Sequence, residues 1–165
     1  MHIQGVETLE QRGSHTLVTG DGKGVEVQIA AVPASLITHI ARTLPEPQPP
    51  VVTPFGKDGR PGVGVPQTND PDYQVRSQDW VVDRAAAVAF HALRNEPGIS
   101  WESGSPQDQA TRETYLKIRK EMEAVGFSGE EIVRLAASAR ELATVTEDKL
   151  RRIAEDFPSA PGEAN

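Results

Sequence analysis

The side chains that most often carry out chemistry are scattered along this sequence. The four histidines stand at positions 2, 15, 39 and 91, so no two of them are three or four residues apart. A pair of helix-borne histidines needs that spacing to bind a metal from one face of the helix. The chain has no cysteine, which excludes disulfides, thiol catalysis and cysteine-based zinc sites. We therefore expect neither a metal nor a cofactor.

Two pairs of adjacent carboxylates raise the question of acid–base catalysis. Glu130–Glu131 and Glu147–Asp148 each fall in the first turn of a predicted helix. Negative charge there stabilises the exposed N–H groups, and this structural role accounts for both pairs. The GDGKG stretch matches neither common phosphate-binding motif, and no G-x-S-x-G nucleophile elbow occurs. The sequence predicts a protein that is not an enzyme, with a scattered catalytic triad left as an alternative.

Two histidines and two tryptophans have less obvious roles. His39 and His91 lie within amphipathic helical patterns, where we expect half-exposed or interfacial positions. Trp80 lies beside an alanine-rich stripe, so it either caps the core or faces a partner protein. Trp101 falls in the loop ISWESGSP, and the sequence leaves its role open.

Composition and charge limit the classes of partner. The formal net charge is −7, and residues 107–157 contain 11 acidic and 9 basic residues, so no basic face for nucleic acid is predicted. The N-terminal stretch MHIQGVETLEQRG has neither the basic start nor the apolar run of a signal peptide. No run approaches the ~18 consecutive apolar residues that cross a membrane. We expect a cytosolic protein that binds neither nucleic acid nor membrane.

The N-terminal module, residues 1–44, is predicted to contain a β-hairpin and a short helix. In residues 14–30, Val25, Val27 and Ile29 alternate with polar residues, and the GDGKG stretch suits a hairpin turn. Pro33 begins a helix that Pro45 stops. Its apolar stripe is expected to lie on the apolar face of the hairpin.

Residues 45–71, which we call the arm, contain eight of the thirteen prolines and four glycines. The segment LPEPQPPVV (44–52) predicts polyproline II, and KDGRPGVGVP (57–66) predicts turns or mobile coil. A connection of this length without regular structure is typically functional or a linker. We expect the arm to hold the hairpin module apart from a helical domain and to bind other proteins.

The helical domain is predicted at residues 72–157, with a flexible tail at 158–165. Asp70 and Pro71 begin its first helix, and Ser105–Pro106 begin the second. Ser128 and Glu131 form a capping box for the third, and the fourth begins at Thr146 and ends at Phe157. The buried face of the first helix is expected to comprise Val81, Val82, Ala85, Ala86, Ala89 and Leu93. The predicted fold class is α+β and mainly α: a hairpin with a short helix, a Pro/Gly-rich arm, and a bundle of about four helices.

Several stretches, in this order, resemble the tail assembly chaperones of tailed bacteriophages. They are a short helix closing on LPEPQPPVV (44–52), the turn GKDG (56–59), and NDPDYQV (69–75) at a helix start. The later RETYLKIRKEMEAVGFSGEEI (112–132) and EDKLRRIAEDF (147–157) agree with the general pattern of that group. The most distinctive feature is PEPQPPVV followed by NDPDY, and the resemblance covers most of the chain after the hairpin.

This resemblance implies a non-enzymatic factor in the host bacterial cytoplasm. It would bind the tape-measure protein, or tail-tube subunits, and keep long hydrophobic helices soluble during virion assembly. A preformed polyproline segment loses little entropy on docking, which suits such a role. The expected partner-binding residues lie in the arm and in the helix after it: Pro45, Pro47, Pro49, Pro50, Val51, Val52, Phe55, Tyr73 and Trp80.

Other classes of protein fit the same arm. One alternative is a structural virion protein of the tail, neck or capsid, in which the arm bridges neighbouring subunits. A fully extended arm of about 27 residues would reach on the order of 80 Å at ~3.1 Å per residue. Another is a host regulator whose proline-rich segment is an SH3-type ligand. The arm does not separate these classes, because polyproline linkers occur in each. The sequence leaves the oligomeric state open.

Overall fold

The computed structural model describes residues 12–18 and 22–144. Strands β1 (Arg12–Val18) and β2 (Gly24–Ala30) form a hairpin, which is followed by helix α1 (Ala34–Thr43). The arm contains the short strands β3 (Val51–Val52) and β4 (Val65–Pro66). Three longer helices follow, α2 (Pro71–Ala92), α3 (Arg112–Ala124) and α4 (Gly129–Ala143). The predicted α+β, mainly α fold class is therefore confirmed, while the helix predicted at 146–157 and the tail lie outside the described residues.

The N-terminal hairpin forms where the alternation of apolar residues predicts it. Val27 pairs with His15 and Ile29 pairs with Gly13 in an antiparallel ladder. Val27 and Ile29 are buried, whereas Val25, near the turn, is exposed. One face of the hairpin thus becomes part of the protein core.

The apolar face of the hairpin packs on α4 and α2, while α1 packs mainly on α2. Leu17 and Ile29 of the hairpin belong to the same hydrophobic cluster as Ile40, Phe90 and Leu135 of the helices. The expectation that the arm holds the hairpin apart from the helices is therefore wrong. The physical reason is that the arm doubles back, so both of its ends lie at one site. We call the hairpin β1–β2 and helices α1–α4 together the body.

Helix α2 is the central element of the body. It begins as predicted, since the Asp70 side chain accepts a hydrogen bond from the Tyr73 N–H at 2.8 Å and Pro71 follows the cap. Its N-terminal half is largely exposed, including Val81, which we expected to be buried. Every residue from Ala85 to Leu93 is buried. Helix α2 is in contact with α1, α3 and α4, and these neighbours account for the burial of its C-terminal half on every side.

Helix α3 begins later than predicted, at Arg112 with Thr111 as its cap, and residues 105–111 form a loop. The reason is tertiary, because two histidines from other helices bind carbonyl oxygens of this loop. His91 Nδ1 lies 2.7 Å from the Pro106 oxygen, and His39 Nε2 lies 2.9 Å from the Ala110 oxygen. These two hydrogen bonds attach the loop to α2 and α1 before the chain reaches the cap at Thr111.

Helix α4 is joined to the hairpin by a buried carboxylate. The Ser128 hydroxyl accepts a hydrogen bond from the Glu131 N–H at 3.2 Å, which is the Ser128 half of the predicted capping box. The Glu131 side chain is 5% exposed and accepts a hydrogen bond from the Val18 N–H of β1 at 3.0 Å. Arg134 lies 3.3 Å from its other oxygen. Glu131 therefore stabilises the contact between α4 and the hairpin as well as its own helix start.

We expect Glu131→Ala to lower the free energy of unfolding by about 2 kcal/mol, because the Val18 N–H would lose its acceptor in a partly buried site. Chemical denaturation followed by circular dichroism measures this change. Glu130→Ala is the matched control, since Glu130 occupies the same helix turn but is exposed. Equal losses in the two variants would show that only helix-terminal charge is involved.

Candidate protein-interaction surface

The arm folds into a two-stranded antiparallel ribbon, which we define as residues Pro50–Gln67. Val51 pairs with Pro66 and Val52 pairs with Val65. The Gln67 N–H donates to the Pro50 oxygen at 2.7 Å, which closes the base of the ribbon. We expected polyproline II over residues 44–52 and turns or mobile coil over residues 57–66. A turn is present at 56–59, but Val51 and Val52 pair with Pro66 and Val65, so these positions form strands instead. The proline-rich outgoing segment and the glycine-rich returning segment are thus the two strands of one hairpin.

Glycines make this ribbon possible. At its tip, Gly59 has a φ of +74°, and its N–H donates to the Gly56 oxygen at 2.9 Å. Between the pairs Val52–Val65 and Phe55–Pro61, the outgoing chain advances by three residues and the returning chain by four. One extra residue on the returning strand is a β-bulge, which bends and twists a ribbon. A Cβ on Gly64 would lie 2.6 Å from a methyl carbon of Val51, so the strands approach closely there.

The ribbon shortens the reach of the arm. From Pro50 to the turn at Lys57 the outgoing strand advances only about 25 Å at ~3.3 Å per residue. This is about a third of the 80 Å reach calculated for a fully extended arm. The arm can therefore contact an adjacent protein but does not span a distant one.

The ribbon carries apolar side chains that the body does not cover. Phe55 is 76% exposed and Val63 is 86% exposed. The other exposed apolar residues of the ribbon are Val51, Val52 and Val65. Several exposed apolar side chains within one short segment are typical of protein–protein interaction sites. The ribbon is the candidate functional site on this ground.

Trp80 of α2 holds the start of the arm. Its Nε1 donates to the Leu44 carbonyl oxygen at 2.9 Å, and the Arg84 guanidinium lies 5.0 Å from the ring centroid. The Trp80 ring also lines a groove of about 230 Å³ together with Pro45 and Pro47. This groove contains both charged and apolar groups, since Arg76, Asp79, Asp83 and Arg112 line it as well.

Trp80→Phe is expected to lower the free energy of unfolding by about 1 kcal/mol, because the Leu44 carbonyl loses its donor. Faster hydrogen exchange in residues 45–50 should accompany this loss. Trp101→Phe is the matched control, because Trp101 Nε1 has no hydrogen-bond partner among the described residues. A loss at Trp101 as large as that at Trp80 would contradict the assigned role of the Leu44 hydrogen bond.

The structure divides the nine predicted binding residues between two places. Pro50, Val51, Val52 and Phe55 belong to the ribbon. The other five lie at its base. Trp80 lines a groove with Pro45 and Pro47, Pro49 follows them in the chain, and Tyr73 is in the first turn of α2. Val63 and Val65 were not among the residues predicted from the sequence, because the glycines beside them are unfavourable in strands. The alternation of valine and glycine in GVGV (62–65) was the signal that could have identified the returning strand.

A buried histidine–tyrosine pair is the arrangement in the body that most resembles an acid–base site. His91 is fully buried and bonds to loop 105–111 and α3, so of the two expected positions, half-exposed or interfacial, the half-exposed one is wrong. Since the Pro106 carbonyl can only accept, His91 Nδ1 carries the proton, and Nε2 accepts from the Tyr115 hydroxyl at 2.9 Å. Burial lowers the pKa of His91 and raises the pKa of Tyr115, so both are neutral near pH 7. With both nitrogens bonded to protein groups, we interpret the pair as the anchor of loop 105–111.

A second concavity lies between this region and the end of α3. It has a volume of about 470 Å³ and is lined mainly by apolar side chains, including Ile99, Trp101 and Phe127. Trp101 packs edge-on against Phe90, with ring centroids 5.1 Å apart. The indole of Trp101 therefore packs at the edge of the core. The sequence alone had left the role of Trp101 open.

The described part of the chain contains no group of three side chains placed to hold a metal ion. Over the same residues, every helix is too short or too polar to cross a membrane. Comparison of the chain with models of known protein families, with curated proteins and with solved structures finds no match.

Proposed function

We propose that the protein is a non-enzymatic assembly factor that binds another protein through its arm. The observation that carries this proposal is the ribbon, where five large apolar side chains are exposed within one short segment, whereas the exposed valines of the body are distributed over the hairpin and the helices. An isolated two-stranded ribbon is only marginally stable in water, so exposing one has a cost in stability. A binding partner that covers the ribbon would offset this cost and explain why the protein has an exposed ribbon.

The class of partner follows from the sequence resemblance. The PEPQPPVV stretch (45–52) runs into the outgoing strand of the ribbon, and the NDPDY stretch (69–73) follows its returning strand. We propose on this basis a chaperone of phage tail assembly that binds the tape-measure protein, or tail-tube subunits, before the tail is built. A long reading frame rich in coiled-coil sequence immediately downstream of the gene would support this assignment independently.

Co-expression with the tape-measure protein of the same genome tests the proposal. We expect the tape-measure protein to remain soluble and to copurify with this chain, because the exposed apolar ribbon would bind its hydrophobic segments. The tape-measure protein expressed alone is the control and should aggregate. Failure to copurify with either the tape-measure protein or the tube subunit would contradict the chaperone proposal.

The exposed edges of the ribbon favour one further function, that of a structural virion protein whose arm lies on neighbouring subunits. The two functions differ in whether the protein stays in the finished particle. Mass spectrometry of gradient-purified virions distinguishes them. A fixed stoichiometry in the particle would favour the structural role, and absence from the particle would favour the chaperone.

A further inference from the structure

The two outer edges of the ribbon differ in their backbone groups. In an antiparallel ladder, pairs that exchange hydrogen bonds alternate with pairs whose N–H and C=O groups point outward. In the pair Phe55–Pro61 the backbone N–H and C=O groups point outward, because the hydrogen bonds are made by the residues on either side of the pair. The Gly62 N–H donates to the Pro54 oxygen at 2.7 Å, and the Gly56 N–H donates to the Arg60 oxygen at 2.8 Å. The same alternation makes Val51–Pro66 an outward pair beside the Gln67–Pro50 bond.

One of these edges is blocked and the other is open. On the returning strand, the outward positions include Pro61 and Pro66, which have no N–H to donate. Proline at an edge is a common means of preventing further strand pairing. On the outgoing strand, the outward residues are Val51, Thr53 and Phe55, whose N–H groups the register turns away from the returning strand. The prolines of that strand, Pro50 and Pro54, occupy inward positions.

We propose that the open edge pairs antiparallel with the same edge of a second copy of this chain, around a two-fold axis at Thr53. This alignment places Val51 of each copy opposite Phe55 of the other and places the two Thr53 residues opposite each other. Aromatic–β-branched pairs and threonine pairs are among the favourable cross-strand pairs. All three outward residues can donate, so each pair across the axis exchanges two backbone hydrogen bonds.

Charge supports a second copy as the occupant. Residues 50–67 contain Lys57, Asp58 and Arg60, a net charge of +1, although the whole chain has a net charge of −7. The base of the ribbon has a net charge of −2, from Glu46, Asp70 and Asp72 with Arg76, and the last three share a concavity with Pro50. Antiparallel pairing brings the basic tip of one ribbon towards the acidic base of the other.

The pairing also explains how an exposed ribbon is stabilised. Two strands alone are marginal, whereas sheets of three or more strands with an apolar face are stable. Two paired ribbons form a four-stranded sheet. Edge pairing leaves the faces of this sheet accessible, including Val52 and Val65, so the inference goes beyond the proposed function and does not compete with it.

Cysteine cross-linking tests the two-fold axis directly, since the natural chain has no cysteine. Thr53→Cys places two thiols opposite each other at a distance that a disulfide can bridge. We expect it to form a disulfide-linked dimer under mild oxidation, at low protein concentration and without any partner protein. The matched control is Val63→Cys, which is 86% exposed but lies on the blocked strand. Equal cross-linking of the two variants would overturn the proposal.

Sedimentation of the full chain gives a second, independent measurement. We expect the natural chain to be dimeric, and Thr53→Pro to raise the dissociation constant about tenfold or more, because the axial pair loses both of its hydrogen bonds. Thr53→Val keeps the N–H and should remain dimeric. A monomeric natural chain, or a Thr53→Pro variant that dimerises equally well, would overturn the inference. Since tape-measure protein is absent from both experiments, their failure and the failure of the proposed function are distinguishable.

Discussion

Removal of residues 51–66, with Pro50 joined to Gln67 through two glycines, is expected to abolish partner binding and leave the body folded. The deleted residues are all exposed and contribute nothing to the hydrophobic core. The ends of the deletion already meet, since the Gln67 N–H lies 2.7 Å from the Pro50 oxygen. Affinity for the tape-measure protein should fall by about 100-fold or more, because several apolar anchors are lost together.

Far-UV circular dichroism and a thermal melt show whether the body is retained, and a pull-down or titration measures binding. The helical signal and the melting temperature should be close to those of the full chain. Phe55→Ala should reproduce part of the loss of affinity, whereas Lys57→Ala, near the same tip, is the control that removes charge and keeps the apolar side chains. Unchanged affinity in the deletion variant would show that the arm does not bind the partner.

The second large effect is expected at His91. His91→Ala should lower the free energy of unfolding by about 3–5 kcal/mol, since it leaves a cavity and removes two hydrogen bonds. These bonds join His91 to the Pro106 carbonyl and to the Tyr115 hydroxyl. The melting temperature should fall by about 10 °C or more. Tyr115→Phe removes only the hydroxyl and should cost about 1 kcal/mol.

The same histidine predicts a pH dependence. Burial lowers the pKa of folded His91 below its ordinary value of 6.5, so the unfolded chain takes up the proton more readily. The stabilising contribution of neutral His91 should therefore be complete above about pH 6.5. The free energy of unfolding should decrease as the pH falls from there towards the pKa of folded His91. The pKa of His15 is also lowered by burial and adds to this slope. Denaturation curves between pH 5 and pH 8 measure it, and an unchanged slope in His91→Ala would contradict the assignment.

The local signals in the sequence determined most elements of the body. Asp70 with Pro71 and Ser128 each form the helix start that their side chains predict, because a cap is made within one turn of the chain. Gly126 ends α3 with a φ of +97°, which glycine adopts without strain. The alternation in the N-terminal hairpin also predicted its strands. These features depend on neighbouring residues alone, so the sequence is sufficient for them.

Tertiary structure decided the position of loop 105–111 and the shape of the arm. The start of α3 depends on hydrogen bonds from His91 and His39, two residues distant in sequence, to loop carbonyl groups. The arm depends on pairing of a proline-rich segment with a glycine-rich one, and neither segment has a strand pattern by itself. The sequence could therefore predict Val51, Val52 and Phe55 as candidate binding residues, but not the strand that faces them. Which edge of the ribbon is open follows only from the register of the two strands, because the register determines where each proline points.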